Sequence, residues 1–294
     1  MTSLIPAPAL VQLSDPASRP LAHLDWRARL ELLRETIAGY GRVVVAYSGG
    51  VDSSVVLRVA HEQLGARALG VIGRSDSYAA HELALALAQA AEFGARVEVV
   101  TTGELADPAF AANDTSRCYH CKSELYRQLR DVAAREGATV VLDGTITEDL
   151  SDFRPGRRAA DESDVVSPLA ALGFTKSDVR SVAEHLSLRS SDKPASPCLA
   201  SRIPYGTPVT AGALAMIEAA EAGLRALGFT ELRVRHHGDV ARIELPIQEF
   251  ARLMEPGVRE SVVGVALSAG YRFVALYLEG FRSGSLNRGI AAVK

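Results

Sequence analysis

Ser48-Gly49-Gly50-Val51-Asp52-Ser53-Ser54 is a run of small and polar residues set between two apolar stretches. Upstream, Val43-Val44-Val45-Ala46 is β-branched and apolar, the composition of a buried parallel strand. Downstream, Val55, Val56, Val59 and Ala60 recur at helical spacing, and Asp52, Ser53 and Ser54 suit the first turn of a helix. The two glycines therefore fall between the carboxyl end of a strand and the amino end of a helix. Backbone N–H groups point outward there and the helix dipole is positive, which favours a phosphate or pyrophosphate. Glycine allows the tight turn and the close approach of a bulky anion. The lysine of the mononucleotide P-loop, G-x-x-x-x-G-K-S/T, is absent, so this is not the usual P-loop, and an ordinary Gly-rich turn with no ligand is the plain alternative.

The second group able to do chemistry is the set of three cysteines, Cys118-Tyr119-His120-Cys121 and the distant Cys198. Zinc would need four ligands, one of them from a histidine. A redox pair would open a helix in a thioredoxin-like unit, and that surrounding pattern is missing. Three thiolates can hold an iron–sulfur cluster while leaving one iron without a protein ligand, free to carry sulfur. Three unrelated buried cysteines are the plain alternative. Arg117, Lys122 and Arg202 flank the three, and cations favour the thiolate. On a strand, Arg233 and Arg235 share a face. They could grip a phosphate or carboxylate bidentately, or form an exposed charged face.

The elements that must position these residues alternate. A helix is expected over 25–40, the glycine-flanked strand and helix to about Leu64, and a strand at 69–73. Then come a helix at 78–93, a strand at 97–100, a helix at 122–136 and a strand at 139–142 ending at Asp143-Gly144. Such alternation predicts βαβ units in an α/β, doubly wound parallel sheet, with ligands beyond the carboxyl ends of the strands. Ala46, Ser48 to Ser54, Ser75 and Gly144 would then converge on one nucleotide. Residues 148–158 read as a long loop and 176–185 as a helix. After Gly206-Thr207-Pro208 the texture changes to a small α+β unit, with a helix at 211–227, strands at 231–236, 240–245 and 273–278, and a helix near 248–254. Three segments follow: a Pro/Ala/Ser-rich lead-in at 1–22, a nucleotide-binding domain at 23–206 and the small domain at 207–294.

The chain has 294 residues, 48% of them hydrophobic and 23% charged, which fits a soluble globular protein with ample core. A net charge of −3 gives no general basic surface, which weighs against nucleic acid as partner. No apolar run is long enough for a membrane helix, and the first residues lack a signal-peptide pattern, so a cytoplasmic protein is expected. Three cysteines in a reducing compartment argue for metal or redox chemistry over a disulfide framework.

Ser-Gly-Gly-Val-Asp-Ser resembles the PP-loop of the ATP pyrophosphatases, the adenine nucleotide α-hydrolase-like proteins that cleave ATP between α and β phosphates. Four further motifs narrow the resemblance: Arg117-Cys118-x-x-Cys121-Lys122, Arg154-Pro155-Gly156, Ser167-Pro168-Leu169 and Lys193-Pro194-Ala195-Ser196-x-Cys198-Leu199-Ala200-Ser201-Arg202. With Arg233-x-Arg235-x-x-x-Asp239-x-Ala241-Arg242-Ile243-Glu244 and Gly280-Phe281-Arg282-Ser283-Gly284-Ser285, the chain is similar to the LarE-type sulfur transferases over roughly residues 25–290.

The resemblance implies conversion of the carboxylates of a pyridinium-3,5-biscarboxylic acid mononucleotide to thiocarboxylates, a step in building a nickel-pincer nucleotide for lactate racemase maturation. It implies ATP along Ser48, Gly49, Gly50, Asp52, Ser53 and Ser54, Mg²⁺ near Asp52, and a catalytic set of Cys198, Asp52, Lys122 and Arg202. It places the substrate at Ser201, Arg202, Arg233 and Arg235. The extra pair Cys118 and Cys121 matches the branch in which these and Cys198 hold a [4Fe-4S] cluster that relays sulfide from a sulfur donor. In the other branch Cys198 gives up its own sulfur. A homo-oligomer is expected. The rival readings are a tRNA-thiolating PP-loop enzyme and an ATP-binding regulatory module whose cysteines hold zinc.

Overall fold

The protein is described from a computed structural model covering residues 23–151 and 155–282. The lead-in at 1–22, Arg154 and Ser283-Gly284-Ser285 lie outside the described residues. The chain divides into two compact units. The first comprises the chain up to Arg74, Glu82–Thr102 and Cys118–Ser196. The second comprises Ser75–His81, Gly103–Arg117 and the chain from Pro197 onward.

In the first unit, α1 (Trp26–Ala38) is capped by the Asp25 carboxylate, which accepts from the Ala28 N–H. β1 (Val43–Ala46) runs into α2 (Val51–Leu64) through the glycine turn. β2 (Ala68–Arg74), α3 (Ala80–Glu92), β3 (Arg96–Thr101), α4 (Arg117–Glu136) and β4 (Val140–Leu142) follow. α5 (Lys176–His185) opens on a reciprocal capping box between Thr175 and Asp178. The four strands are parallel, in the order β3-β2-β1-β4. The chain steps outward from β1 to β3 and then returns to the other side of β1. That reversal makes the β1/β4 boundary the topological switch point, and right-handed crossovers carry the helices to both faces. Val43, Val44 and Val45 are wholly buried, as a central strand covered on both faces requires.

In the second unit, α6 (Ala211–Ala226) and α7 (Val258–Ser268) pack beside a three-stranded sheet of order β5-β6-β7. β5 (Arg233–His237) and β6 (Val240–Glu244) form an antiparallel hairpin, and β7 (Phe273–Leu276) joins β6 in parallel. Leu224, Phe229, Leu232, Val234, Ile243, Leu245 and Tyr271 fill its core.

The α/β class and the small second sheet agree with the sequence reading. Three elements differ from it. α4 begins at Arg117, five residues before the expected start, so Cys118 and Cys121 stand in its first turn. The stretch 148–158 is not one long loop. It contains the short helices Thr147–Ser151 and Pro155–Asp161, the second opened by a proline where the missing N–H costs little. Helix α7 was not anticipated, because its sequence, VRESVVGVALS, mixes β-branched residues and glycine, all weak helix formers.

Candidate functional site

The first constellation is built around the turn between β1 and α2. Gly49 adopts a left-handed φ of +67°, and a Cβ there would lie 2.5 Å from the Ala86 Cβ, so glycine is required twice over. The Ser53 hydroxyl accepts from the Ser48 N–H at 3.1 Å and donates to the Gly50 carbonyl at 3.2 Å. Ser54 is fully buried; its hydroxyl donates to the Gly50 carbonyl at 2.7 Å and accepts from Gln89 at 2.6 Å. Gln89 also donates to the Tyr47 hydroxyl and accepts from the Ser190 N–H. Ser54 thus shapes the turn from behind, while Ser48 is exposed on it. Gly144, just beyond β4, passes so close that a Cβ would fall 2.6 Å from the Ser53 nitrogen. Ala46, Ser48, Gly49, Gly50, Asp52, Ser53, Ser54 and Gly144 are thereby gathered at the switch point. Ser75 falls in the second unit, where its hydroxyl donates to the buried carboxylate of Glu104 at 2.5 Å.

This phosphate cradle has no lysine of its own, but two arrive from far along the chain. The Lys176 ammonium, at the first residue of α5, sits 2.8 Å from both carboxylate oxygens of Asp52. Lys193 pairs with Glu82 at 2.5 Å and reaches the Gly49 carbonyl at 3.4 Å. Burial raises the Asp52 carboxyl above the usual aspartate range; Lys176 pulls it back down and nearby Asp149 pushes it up. Neither lysine carries a local signal in sequence, because each meets the turn only through the tertiary fold. Lys122, on α4, lies 3.4 Å from the Tyr126 hydroxyl, which donates to Asp143 at 3.1 Å. Asp143 also accepts from Thr145 and Ser167 at 2.7 Å each, so the end of β4 is locked to the Ser-Pro-Leu motif.

The second constellation lies in the second unit, around the turn Cys198–Arg202. Arg202 is 1% exposed and forms a two-pronged pair with buried Glu221 at 2.9 and 3.1 Å. It also donates to the carbonyls of Pro197 (2.5 Å) and Cys198 (3.1 Å) and to the Ser201 hydroxyl (3.1 Å). Arg235 donates to the Ser201 carbonyl at 2.8 Å and to Glu244 at 3.0 Å. Glu221 further accepts from Arg225, and Glu244 from Arg242. Arg233 is half-buried and its guanidinium lies over the Phe281 ring. Burial and the neighbouring Arg202, Arg235 and Arg225 lower its pKa to about 10, against the pull of Glu221, so it stays charged at neutral pH. Burial alone would push Glu221 up, but Arg202 and the hydrogen bonds it accepts hold it below the usual glutamate range.

Five arginines thus surround two buried glutamates, a local surplus of positive charge suited to an anion. Sequence reasoning passed over Glu221 and gave Glu244 no role beyond its place in a motif. The signal for Glu221 was present: it interrupts the buried stripe Leu214, Ile217, Ala220 and Leu224 of α6, and a carboxylate there needs a partner.

All three cysteines are free thiols. Cys118 and Cys121, spaced i and i+3, share one face of α4, and Cys118 is exposed. Cys198 belongs to the second unit. Among the described residues no three His, Cys, Asp or Glu side chains stand together as a metal-ligand set, and no helix is long and apolar enough to cross a membrane.

The chain is 42% identical over 261 residues to the uncharacterized protein slr1717 of Synechocystis sp., which covers 89% of this chain and 97% of that one. It is also 42% identical over 248 residues to the pyridinium-3,5-bisthiocarboxylic acid mononucleotide synthase of Lactiplantibacillus plantarum, covering 84% and 89%. At 28% identity over 165 residues it is similar to the NH(3)-dependent NAD(+) synthetase of Chlorobaculum tepidum, covering 54% and 58%. No protein-family model matches the chain.

Proposed function

The chain belongs to the LarE family of pyridinium-3,5-bisthiocarboxylic acid mononucleotide synthases, and from that premise we propose that it is an ATP-dependent, adenylating sulfur transferase acting on the pyridinium-3,5-biscarboxylic acid mononucleotide. The observation that carries the reading is the pairing of a lysine-served phosphate turn in one unit with an arginine-rich cysteine turn in the other.

A substrate carboxylate oxygen attacks the α phosphorus of ATP, and the bond from that phosphorus to the bridging oxygen of the β phosphate breaks. The product is an acyl-adenylate, with pyrophosphate as leaving group. The N–H groups of the Ser48–Ser53 turn and the α2 dipole stabilise the departing pyrophosphate. Lys176 and Lys193 supply the positive charge that the missing P-loop lysine would bring. A sulfur nucleophile then attacks the acyl carbon and AMP leaves with the former carboxylate oxygen. Lys122, beside Tyr126 and through it Asp143, holds the activated carboxylate or the pyrophosphate in this reading. Arg233 holds the substrate's phosphate within the cationic surplus of the second unit.

Mg²⁺ fits Asp52, because this ion needs only one or two protein carboxylates beside substrate phosphates, and it would neutralise charge on the triphosphate. Cys118, Cys121 and Cys198 would hold a [4Fe-4S] cluster, which would supply an iron without a protein ligand to carry sulfide. That assignment rests on three free thiols with two on one helix face, not on a preformed cage. In a second reading Cys198 donates its own sulfur, a chemistry that needs neither of the other two thiols. Iron content after oxygen-free purification, together with protein mass before and after turnover, separates the two. About four irons per chain and an unchanged mass support the cluster. No iron, with Cys198 converted to dehydroalanine, supports the sacrificial cysteine.

A further inference from the structure

The segment that carries Cys198 has no helix or strand beyond a single 3₁₀ turn, in which the Cys198 and Ala200 carbonyls accept from the Ser201 and Ile203 N–H groups at 2.9 and 3.2 Å. Four carbonyls of the segment accept from guanidinium groups. Arg202 takes those of Pro197 and Cys198, Arg117 takes that of Ala200 at 2.9 Å, and Arg235 takes that of Ser201. The three arginines come from different places: the turn itself, the residue just before Cys118, and strand β5. All are buried, at 3% exposure for Arg117, 1% for Arg202 and 6% for Arg235.

Arg202 and Arg235 are fixed through their other nitrogens by Glu221 and Glu244, and the Arg117 Nη1 that serves Ala200 also donates to the Asn113 amide oxygen at 2.5 Å. Asn113 is itself fully buried and gathers the carbonyls of Pro204 and Thr207. The Leu199 N–H completes the grip by donating to the Ser77 carbonyl at 2.8 Å. A rigid planar fork with five donors is the one side chain that can satisfy several carbonyls while its far side is anchored.

We propose that Arg117, Arg202 and Arg235 are positioning residues for Cys198, holding the backbone on both sides of it so that its sulfur is presented from a fixed place. This rests on the reading of Cys198 as a residue that handles sulfur. A misplacement of about 1 Å at a reacting atom is enough to cost roughly a hundredfold in rate.

Arg117 gives the cleanest test, since its partners are an amide oxygen and a carbonyl, and removing it strands no buried carboxylate. The full chain, reduced and without added iron, is compared with Arg117→Met and Arg117→Lys. Three quantities are read: the rate at which iodoacetamide labels Cys198, by peptide mass spectrometry; the ATP KM of pyrophosphate release; and the kcat of sulfur transfer. We expect an altered labelling rate and a sulfur-transfer kcat lower by roughly tenfold to a hundredfold in Arg117→Met. The ATP KM should stay at the wild-type value, and Arg117→Lys should fall between. Unchanged labelling of Cys198 in a folded Arg117→Met protein would overturn the proposal, as would equal losses in both half-reactions. Should Arg117→Met not fold, Arg235→Lys is read the same way against the same outcomes. Labelling needs no substrate, so an altered rate in a chain whose wild type transfers no sulfur leaves the positioning intact and removes the proposed function.

Discussion

Asp52 and Lys176 meet across 124 positions of sequence, and their pairing decides how the phosphate turn responds to pH. Burial already raises the Asp52 carboxyl, and Lys176 is the main force lowering it. Replacing Lys176 by Met removes the two largest lowering influences and leaves burial and Asp149 opposed only by a backbone hydrogen bond, so the carboxyl must rise further. Pyrophosphate release should therefore lose its acid limb at higher pH in Lys176→Met than in wild type, besides being slower throughout. An acid limb that stays in place would show that Asp52 does not have to be ionised. Arg233→Ala should weaken the pyridinium mononucleotide by roughly 1.5–3 kcal/mol, the worth of a hydrogen bond to a charged group, and leave ATP binding unchanged. Calorimetric titration with each ligand separates these effects; equal weakening of both would place Arg233 elsewhere. At this scale the sequence was informative about which residue types matter and less so about what each does. Ser54, Arg202 and Arg235 were read as ligand-binding, but each side chain is buried and bonded to its own neighbourhood. Spacing shows that two arginines share a strand face; it does not show what that face meets.

The β1 strand and the helix after it were legible because a central parallel strand must be apolar on both faces and a Gly-Gly turn has few structural uses. Gly144 is where a strand end and a helix start come closest. Gly144→Ala would press a methyl group onto the backbone at Ser53, which cannot rotate away. A loss of about 1–3 kcal/mol in stability is expected, with slower pyrophosphate release. Gly41→Ala is the control, as nothing lies within 4 Å of a Cβ there. Denaturant unfolding of both proteins checks the pair. Helix α6 carries the matching prediction in the second unit. Glu221→Gln leaves Arg202 and Arg225 without their counter-charge, and a loss of roughly 3–5 kcal/mol is expected. Because the Glu221 carboxyl is held below the usual glutamate range, its contribution is complete above that range and fades as pH falls through its lowered value. Wild-type protein should thus lose in acid the stability that Glu221→Gln lacks at neutral pH. The early start of α4 escaped sequence reasoning because Cys-Tyr-His-Cys has no helical signature, and α7 escaped because its propensities are poor and packing against α6 and β7 sustains it.

At the scale of the molecule, the residues proposed to do the chemistry are divided between two units: the glycine turn and two thiols in one, the third thiol and the arginine cluster in the other. The alternation of strands and helices marked the first unit, whereas the contribution of 75–81 and 103–117 to the second is a tertiary fact with no compositional trace. In the proposed function ATP is spent on activating the mononucleotide's carboxylates for sulfur. The most direct measurement supplies the oxygen-free protein with ATP, Mg²⁺, sulfide and the biscarboxylate mononucleotide, and follows pyrophosphate together with the mass of the mononucleotide. Pyrophosphate and AMP are expected only when the mononucleotide is present, with one pyrophosphate for each oxygen replaced by sulfur and no ADP. Release of ADP, or pyrophosphate formed without the mononucleotide while its mass stays unchanged, would contradict that function.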